Sequence, residues 1–231
     1  MKLNKDKCES LHTGQTKPNV HFSNGERVKS VDEAKYLGCI LNNKADLTKE
    51  VKARTANTMA TLKKLDMFWR HSSCPERFKL QVLDAVCRAK LLYGLETAQL
   101  TQATIKTLDT FQLKGLRKIL RMETTYVNRE NSNDKVIQTA NEKIQQQGGN
   151  KEIKLFSEVY KDCKLKLYED ILNSDESSPV KQSTMQMDTL KDTQFDKRRV
   201  GRPRLKWNSE TSKEYWEATR SQRGGASRGE S

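Results

Sequence analysis

The apolar side chains between residues 48 and 122 recur with the 3.6-residue period of an amphipathic helix, and this constrains the fold more than any other feature. The pattern predicts three helices. The first begins near Thr48 and carries one stripe, formed by Val51, Thr55, Thr58, Leu62, Leu65 and Trp69. The second begins at Pro75 and ends at Gly94, and its wide apolar arc predicts the most buried helix of the chain.

The third helix is predicted over residues 101–122, and its two sides differ in character. One side is apolar: Ile105, Leu108, Phe111, Leu116, Ile119 and Leu120. The other carries cations at i, i+3, i+4 and i+7, namely Lys114, Arg117, Lys118 and Arg121. Such a stripe is as often a solvated face as a binding surface. Because these cations lack acidic partners at i+4, their mutual repulsion favours a surface that binds phosphates.

Strand signals are confined to residues 18–42. Alternating apolar residues around Asn24-Gly25 predict a hairpin with a type I′ turn. The apolar run from Tyr36 to Leu41 predicts a further strand, in which Gly38 marks a bulge or a close backbone approach. The predicted fold class is therefore mainly α, with a small N-terminal β-hairpin element followed by a helical bundle.

The remainder of the chain is more polar, and only 34% of all residues are hydrophobic while 32% are charged. Such a composition cannot bury enough apolar surface to order every segment. The predicted organisation is strands over 1–45, a helical domain over 46–128, a polar linker over 129–152, a further helix over 153–173, a disordered linker over 174–195, and a basic tail with a short helix over 196–231.

The charge balance indicates the kind of partner. The net charge is +13, with +6 over residues 1–70, +4 over 71–130 and +5 over 191–231, against −2 over 131–190. Basic surfaces of this kind attract polyanions, of which nucleic acid is the commonest. The five scattered cysteines and the lack of a long apolar run predict a soluble, intracellular protein with no membrane partner. The predicted location is the nucleus or the cytoplasm, with the nucleus favoured.

The sequence offers no catalytic constellation. It contains no Asp-Asp pair of the kind that holds two metal ions in template-copying polymerases, and no P-loop, G-x-G-x-x-G or G-x-S-x-G motif. His71 and Cys74 are spaced like half a zinc knuckle, but no second pair lies nearby. We therefore predict no catalytic residue, no metal site and no cofactor for this chain.

The stretch KRRVGRPRLKW, residues 197–207, is close to the core of an AT-hook. Such a peptide lays a flat backbone and extended arginines along the narrow minor groove of A·T-rich DNA. The predicted DNA-binding residues are Lys197, Arg198, Arg199, Gly201, Arg202, Pro203, Arg204, Lys206 and Trp207. A basic tail or nuclear localisation signal is the alternative for the cations. Trp207 can instead anchor a short helix against the core with Tyr215 and Trp216, and anchoring is favoured over stacking on a base.

Five segments also occur in an order and spacing typical of one family: LNKDKC (3–8), VDEAKYLGCIL (31–41), LLYGLET (91–97), LRKIL (116–120) and RRVGRPRLKW (198–207). By these segments the chain resembles the C-terminal part of reverse transcriptases from LINE-type (non-LTR) retrotransposons. The resemblance covers most of the chain and is weakest over 130–195.

The resemblance implies a function without catalysis. It implies that Tyr36, Leu37 and Gly38 belong to a primer-gripping element at the end of the palm. The helical bundle is similar to the thumb and its C-terminal extension, which hold the template–primer duplex of RNA and DNA. Polymerase activity and its Mg²⁺ belong, by this resemblance, to a complete reverse transcriptase, which is a possible partner in trans. The alternative is a stand-alone nuclear adaptor, chromatin-associated through its AT-hook-like tail.

Overall fold

The protein is mainly helical, with a small strand element near the N-terminus, as the sequence predicts. The computed structural model describes residues 4–12, 18–36, 38–43, 47–185 and 207–226. The chain divides into two compact units, Met1–Leu65 and Asp66–Ser231. Within the described residues, none of the helices combines the length and the apolar character that crossing a bilayer requires.

The strands of the first unit form two separate pairs, and their bounds are β1 Glu9–Leu11, β2 Lys29–Val31, β3 Glu33–Tyr36 and β4 Cys39–Asn42. β1 and β2 are parallel, with Glu9 opposite Lys29, and the side chains of these two residues form an ion pair of 2.9 Å. β3 and β4 are antiparallel, with Tyr36 opposite Cys39. The sequence signals did not reveal β1.

Glycine turns shape both hairpins of this unit. A turn forms at Asn24-Gly25, where the Phe22 N–H donates to the Glu26 carbonyl at 2.8 Å and Gly25 has a φ of 84°. The predicted type I′ is wrong, because Asn24 lacks the positive φ that this type needs at both central residues, and the Gly25 N–H instead donates to the Phe22 carbonyl at 2.9 Å. The prediction of one strand from Tyr36 to Leu41 is wrong, because β3 ends at Tyr36 and β4 begins at Cys39. Gly38 lies in the connection with a φ of 86°, and a Cβ there would meet nothing within 4 Å. Its backbone conformation, and not a close approach, therefore requires glycine.

Helix α1, Thr48–Lys64, is tied to β4 by a buried ion pair. The Glu50 carboxylate accepts a hydrogen bond from the Ile40 N–H at 2.9 Å and pairs with Arg54. The Arg54 guanidinium also donates to the Cys39 sulfur at 2.9 Å. Because both charges are almost fully removed from water, each depends on the other.

The second unit contains the remaining helices: α2 Asp66–His71, α3 Glu76–Leu92, α4 Gln102–Leu120, α5 Asn133–Gln146, α6 Phe156–Asn173, α7 Pro179–Thr184 and α8 Trp207–Ala226. The first predicted helix was expected to continue through Trp69, but α1 ends before Leu65 and α2 begins at Asp66. Aspartate favours the first turn of a helix, where its charge meets the positive end of the dipole, so Asp66 suits a new start.

Helix α4 is at the centre of the second unit and packs against α2, α3, α5 and α6. The prediction that α3 is the most buried helix is wrong, because α4 buries more side chains than α3 does. In α3 the buried stripe is Leu80, Leu83, Cys87 and Leu91. Phe78, although it is apolar and near the start of α3, is 48% exposed.

Two segments predicted to lack structure contain helices. The predicted polar linker over 129–152 contains α5, which buries an apolar stripe of Val136, Ala140 and Ile144. Apolar residues at intervals of four suffice for one narrow buried face, although the surrounding composition is polar. Part of the predicted disordered linker forms α7, begun by Pro179 and followed by the buried Met185. The rest of that predicted linker, from residue 186, lies outside the described residues.

Candidate nucleic-acid interface

A groove of about 630 Å³ lies between the end of α2, the C-terminal half of α4 and the residues that follow α4. It is lined by Trp69, Arg70, His71, Lys114, Arg117, Lys118, Arg121, Met122 and Glu123. The four cations of the stripe predicted on α4 are all in this lining. Arg70 joins them from α2, and Glu123 is the one carboxylate among these lining residues.

A second depression of about 310 Å³ continues along α4. It shares Lys114 and Arg117 with the first and adds Thr110, Leu113, Thr124, Thr125 and Asn133. Hydroxyl and amide groups beside cations are common donors to phosphate and sugar oxygens. We call the two connected depressions the basic groove.

An ion-pair network holds the groove wall at α2. Asp66 pairs with Lys118 of α4 and, at 3.1 Å, with Arg70 one turn further along α2. The hydrogen bond donated by Lys118 holds the pKa of the Asp66 carboxyl below its usual value. The Arg121 guanidinium donates to the Arg70 carbonyl at 3.3 Å. One carboxylate thus positions two cations, and the groove keeps an excess of positive charge.

Arg117 and Lys114 sit where the two depressions meet, and they differ in how they are held. Arg117 donates to the Asn131 carbonyl at 3.1 Å and to the Asn133 side chain at 2.9 Å, whereas its buried Nε has no hydrogen-bond partner among the described residues. Lys114 is exposed, and within the described part of the chain its ammonium pairs with no carboxylate. Among the groove cations, Lys114 therefore contributes least to holding the fold together.

The sequence found four of the five groove cations but missed the contribution of α2. Arg70 and His71 belong to a six-residue helix that the sequence pattern merged with α1. The polar residues after α4 were missed as well, because Thr124 and Thr125 follow the end of the predicted third helix and Asn133 lies in the predicted polar linker, and no site residue was predicted in either place. The packing of α2 against α4 is what brings Arg70 and His71 beside the cations of the stripe.

Of the other predicted site residues, the structure describes only Tyr36, Gly38 and Trp207, and none of these three lines the groove. Tyr36, 62% exposed, and Gly38 lie at the β3–β4 connection of the first unit, while Leu37 lies outside the described residues. The cations of the tail, Lys197, Arg198, Arg199, Arg202, Arg204 and Lys206, also lie outside the described residues, as do Gly201 and Pro203.

Trp207 begins α8 and anchors it, which confirms the favoured prediction for this residue. Its indole N–H donates to the Glu96 carbonyl at 2.7 Å, and its ring lies 6.2 Å from that of Tyr168 in α6. Tyr215 packs on the same Tyr168 ring at 5.4 Å. Trp216, predicted to join this cluster, contacts Tyr215 at 5.3 Å but stays 44% exposed.

In the described ranges, no three His, Cys, Asp or Glu side chains converge to hold a metal ion. Asp32 accepts a hydrogen bond from Asn43 at 2.9 Å and Glu33 pairs with Lys49, so this adjacent acidic pair serves local contacts. The cysteines are free thiols, and burial raises the pKa of the Cys87 thiol to about 12. The expectation that the chain needs no cofactor stays a prediction.

Comparison with protein-family models, with curated proteins and with solved structures finds no match to this chain.

Proposed function

We propose that this chain binds nucleic acid through the basic groove, as the non-catalytic C-terminal part of a LINE-type reverse transcriptase. The observation that carries the proposal is the convergence of Arg70, Lys114, Arg117, Lys118 and Arg121 on one groove whose lining has a single carboxylate. Such a surface is unfavourable for the isolated protein, since like charges repel, and phosphates would relieve the repulsion.

The dimensions of the cationic face suit a nucleic-acid backbone. Lys114 and Arg121 are seven residues apart on α4, which corresponds to roughly 10 Å along the helix axis. Successive phosphates of one strand advance about 3.4 Å along a duplex, so this face spans about three nucleotide steps. The groove would therefore hold a short stretch of backbone, without reading its sequence.

The rest of the proposal concerns the other predicted site residues. The tail residues Lys197–Lys206 would bind A·T-rich DNA and favour a nuclear location, and Tyr36–Gly38 would contact a primer strand. A complete reverse transcriptase acting in trans would supply the catalytic carboxylates and Mg²⁺. The bound ligand would be a template–primer duplex of RNA and DNA, together with a DNA target.

The deciding experiment replaces Lys114, because this cation has no structural partner in the described residues. Lys114→Gln is compared with Lys106→Gln, which removes the same charge from an exposed position on α4 outside the groove. Binding of a fluorescent 20-base-pair duplex is followed by anisotropy between 50 and 200 mM salt. Lys114→Gln should lower the salt slope by about 0.9, the value for one lost phosphate contact, and Lys106→Gln should leave it unchanged.

Two results would contradict the proposal. Equal slopes for both variants would make the α4 cations an ordinary solvated face. A salt slope that Lys114→Gln leaves unchanged, together with binding that is lost when Arg202 and Arg204 become alanine, would favour the adaptor, in which the tail alone contacts DNA.

A further inference from the structure

The loop after α4 places its most apolar residues in water. Tyr126 is 97% exposed and Val127 is 67% exposed, and Tyr126 is the most exposed large hydrophobic side chain of the described residues. Isolated exposed apolar residues are common on protein surfaces, so exposure alone indicates nothing. The position of Tyr126 and the rigidity of its loop are what distinguish it.

The loop is held in one conformation by hydrogen bonds from its own backbone. The Thr124 carbonyl accepts from the N–H groups of Val127 and Asn128, both at 3.0 Å. The Asn131 side chain donates to the Glu123 carbonyl at 3.1 Å, which closes the loop on itself. A side chain presented by a fixed backbone loses less conformational freedom on binding.

The same contacts join the loop to the basic groove. Arg117 donates to the Asn131 carbonyl from one side, and Thr124 and Thr125 line the groove immediately before Tyr126. A hydrogen-bonded backbone therefore presents a tyrosine side chain one residue away from the groove lining. A cationic groove that follows the backbone, with an aromatic ring beside it, is the arrangement by which proteins bind single-stranded nucleic acid.

We propose that Tyr126 stacks on an unpaired base, so that the basic groove binds single-stranded nucleic acid in preference to closed duplex. The inference rests on the proposed function, because the groove must bind the backbone for Tyr126 to meet a base. In a closed duplex both faces of each base are covered by neighbouring bases, and Tyr126 has no face to contact. Stacking does not require a 2′-hydroxyl, so RNA and DNA single strands share the chemistry that Tyr126 recognises.

The test measures binding of the full chain to four fluorescent ligands by anisotropy: (dT)20, (rU)20, a 20-nucleotide abasic strand, and a 20-base-pair duplex closed by hairpins at both ends. Tyr126→Ala should weaken binding to (dT)20 at least about fivefold, since stacking of one base is worth roughly 1–3 kcal/mol. It should not change binding to the abasic strand or to the closed duplex. Tyr126→Phe keeps the ring and should bind as the wild type does.

Two further measurements separate stacking from damage to the fold or the charge. Tyr93→Ala removes another exposed tyrosine, 66% exposed and outside the groove lining, and should leave all affinities unchanged. Tyr126→Ala should preserve the salt slope on (dT)20, whereas Lys114→Gln should lower it by about 0.7, the single-strand value for one phosphate. Because (dT)20 and (rU)20 differ in both the sugar and the 5-methyl group of the base, they serve as two independent single strands, and a loss on either one supports stacking.

The outcomes distinguish the two proposals. Equal affinity of Tyr126→Ala and wild type for both single strands, or an equal loss on the abasic strand, overturns the stacking role. If that happens while Lys114→Gln still lowers the salt slope, the groove binds backbone and only the inference about Tyr126 fails. If the wild-type chain binds none of the four ligands, the proposed function fails and this inference fails with it.

Discussion

The ammonium of Lys164 is the most deeply buried charge in the contact between α6 and α8. We predict that the ion pair between Lys164 and the Glu214 carboxylate stabilises the packing of α8 on α6. Lys164 is 2% exposed, its Nζ lies 2.7 Å from the Glu214 carboxylate of α8 and 5.5 Å from the ring centre of Tyr160. Its hydrogen bond to the Gln99 side chain is long, at 3.4 Å. Glu214 thus provides the only close negative charge among the described residues.

The expected costs of removing the two partners are unequal. Removing one member of a buried pair typically costs about 3–5 kcal/mol, because the other charge is left without compensation. Glu214 is 31% exposed, so water reaches the carboxylate, and we expect Glu214→Gln to lower the free energy of unfolding by about 2 kcal/mol. Lys164→Met should cost less than about 1 kcal/mol, because methionine fills the space and the Glu214 carboxylate can turn to water.

Tryptophan fluorescence reports on the correct unit, since Trp69, Trp207 and Trp216 are the only tryptophans and all lie beyond residue 65. Urea unfolding of the two single variants and of the double variant gives the coupling free energy of the pair. The double variant should be close to Lys164→Met alone. Glu210→Gln, on the same helix and paired with Lys213 at 3.7 Å, is the matched control and should change stability by less than about 0.5 kcal/mol. If Glu214→Gln costs no more than Glu210→Gln, the buried ammonium does not depend on this carboxylate.

The remaining predictions concern a thiol, a turn and the tail. Cys87 is fully buried, and burial raises the pKa of its thiol to about 12, so at pH 8 about one molecule in ten thousand carries the thiolate. Iodoacetamide should therefore label the exposed Cys163 in the native protein but react with Cys87 only after unfolding. Labelling of Cys87 in native protein, seen by mass spectrometry, would contradict this burial. Gly38→Ala should destabilise the β3–β4 hairpin by about 1 kcal/mol because of its φ of 86°, and unchanged hydrogen exchange of the hairpin amides would argue against a need for glycine. If residues 197–204 neutralise about four phosphates, affinity for A·T-rich duplex should fall roughly 100-fold between 50 and 200 mM salt, and replacing Arg202 and Arg204 with alanine should flatten that dependence.

The features that the sequence predicts correctly are those that depend on residues close together in the chain. α4 was predicted to within two residues because Thr101 caps it, its side chain accepting from the Thr104 N–H at 3.3 Å, and because its apolar and cationic faces follow one helical period. The anchoring of α8 was also predicted, since aromatic residues close in sequence can bury one another. The α2 wall of the groove was not, because it depends on Asp66 meeting Lys118, which is distant in sequence. The Glu50–Arg54 pair has the local i, i+4 spacing, and only its burial against β4 was not predicted. A turn of two residues, as at Gly38, is similarly hidden in an otherwise continuous apolar run.

The backbone at the end of α4 offers a test that separates function from stability at a single residue, Arg121. This residue has a φ of 55° and a ψ of 33°, a left-handed conformation, and it is the only residue other than glycine with positive φ among those described. Glycine is the usual residue at this position after a helix, since a side chain there costs about 1 kcal/mol. Arg121 therefore keeps an unfavourable backbone conformation while its guanidinium lines the groove, and we infer that this side chain contributes more to the free energy of binding than to the free energy of folding.

Arg121→Gly should therefore act in opposite directions on the two properties. It relieves the backbone and loses only a 3.3 Å hydrogen bond to the Arg70 carbonyl at the surface, so the free energy of unfolding should rise by about 0.5 kcal/mol. Binding of duplex should weaken, with a salt slope lower by about 0.9. Arg121→Asn, which also tolerates this conformation, should behave in the same way and excludes an effect peculiar to glycine. A variant that loses stability and binding together would make Arg121 a structural residue, whereas unchanged binding would remove it from the interface.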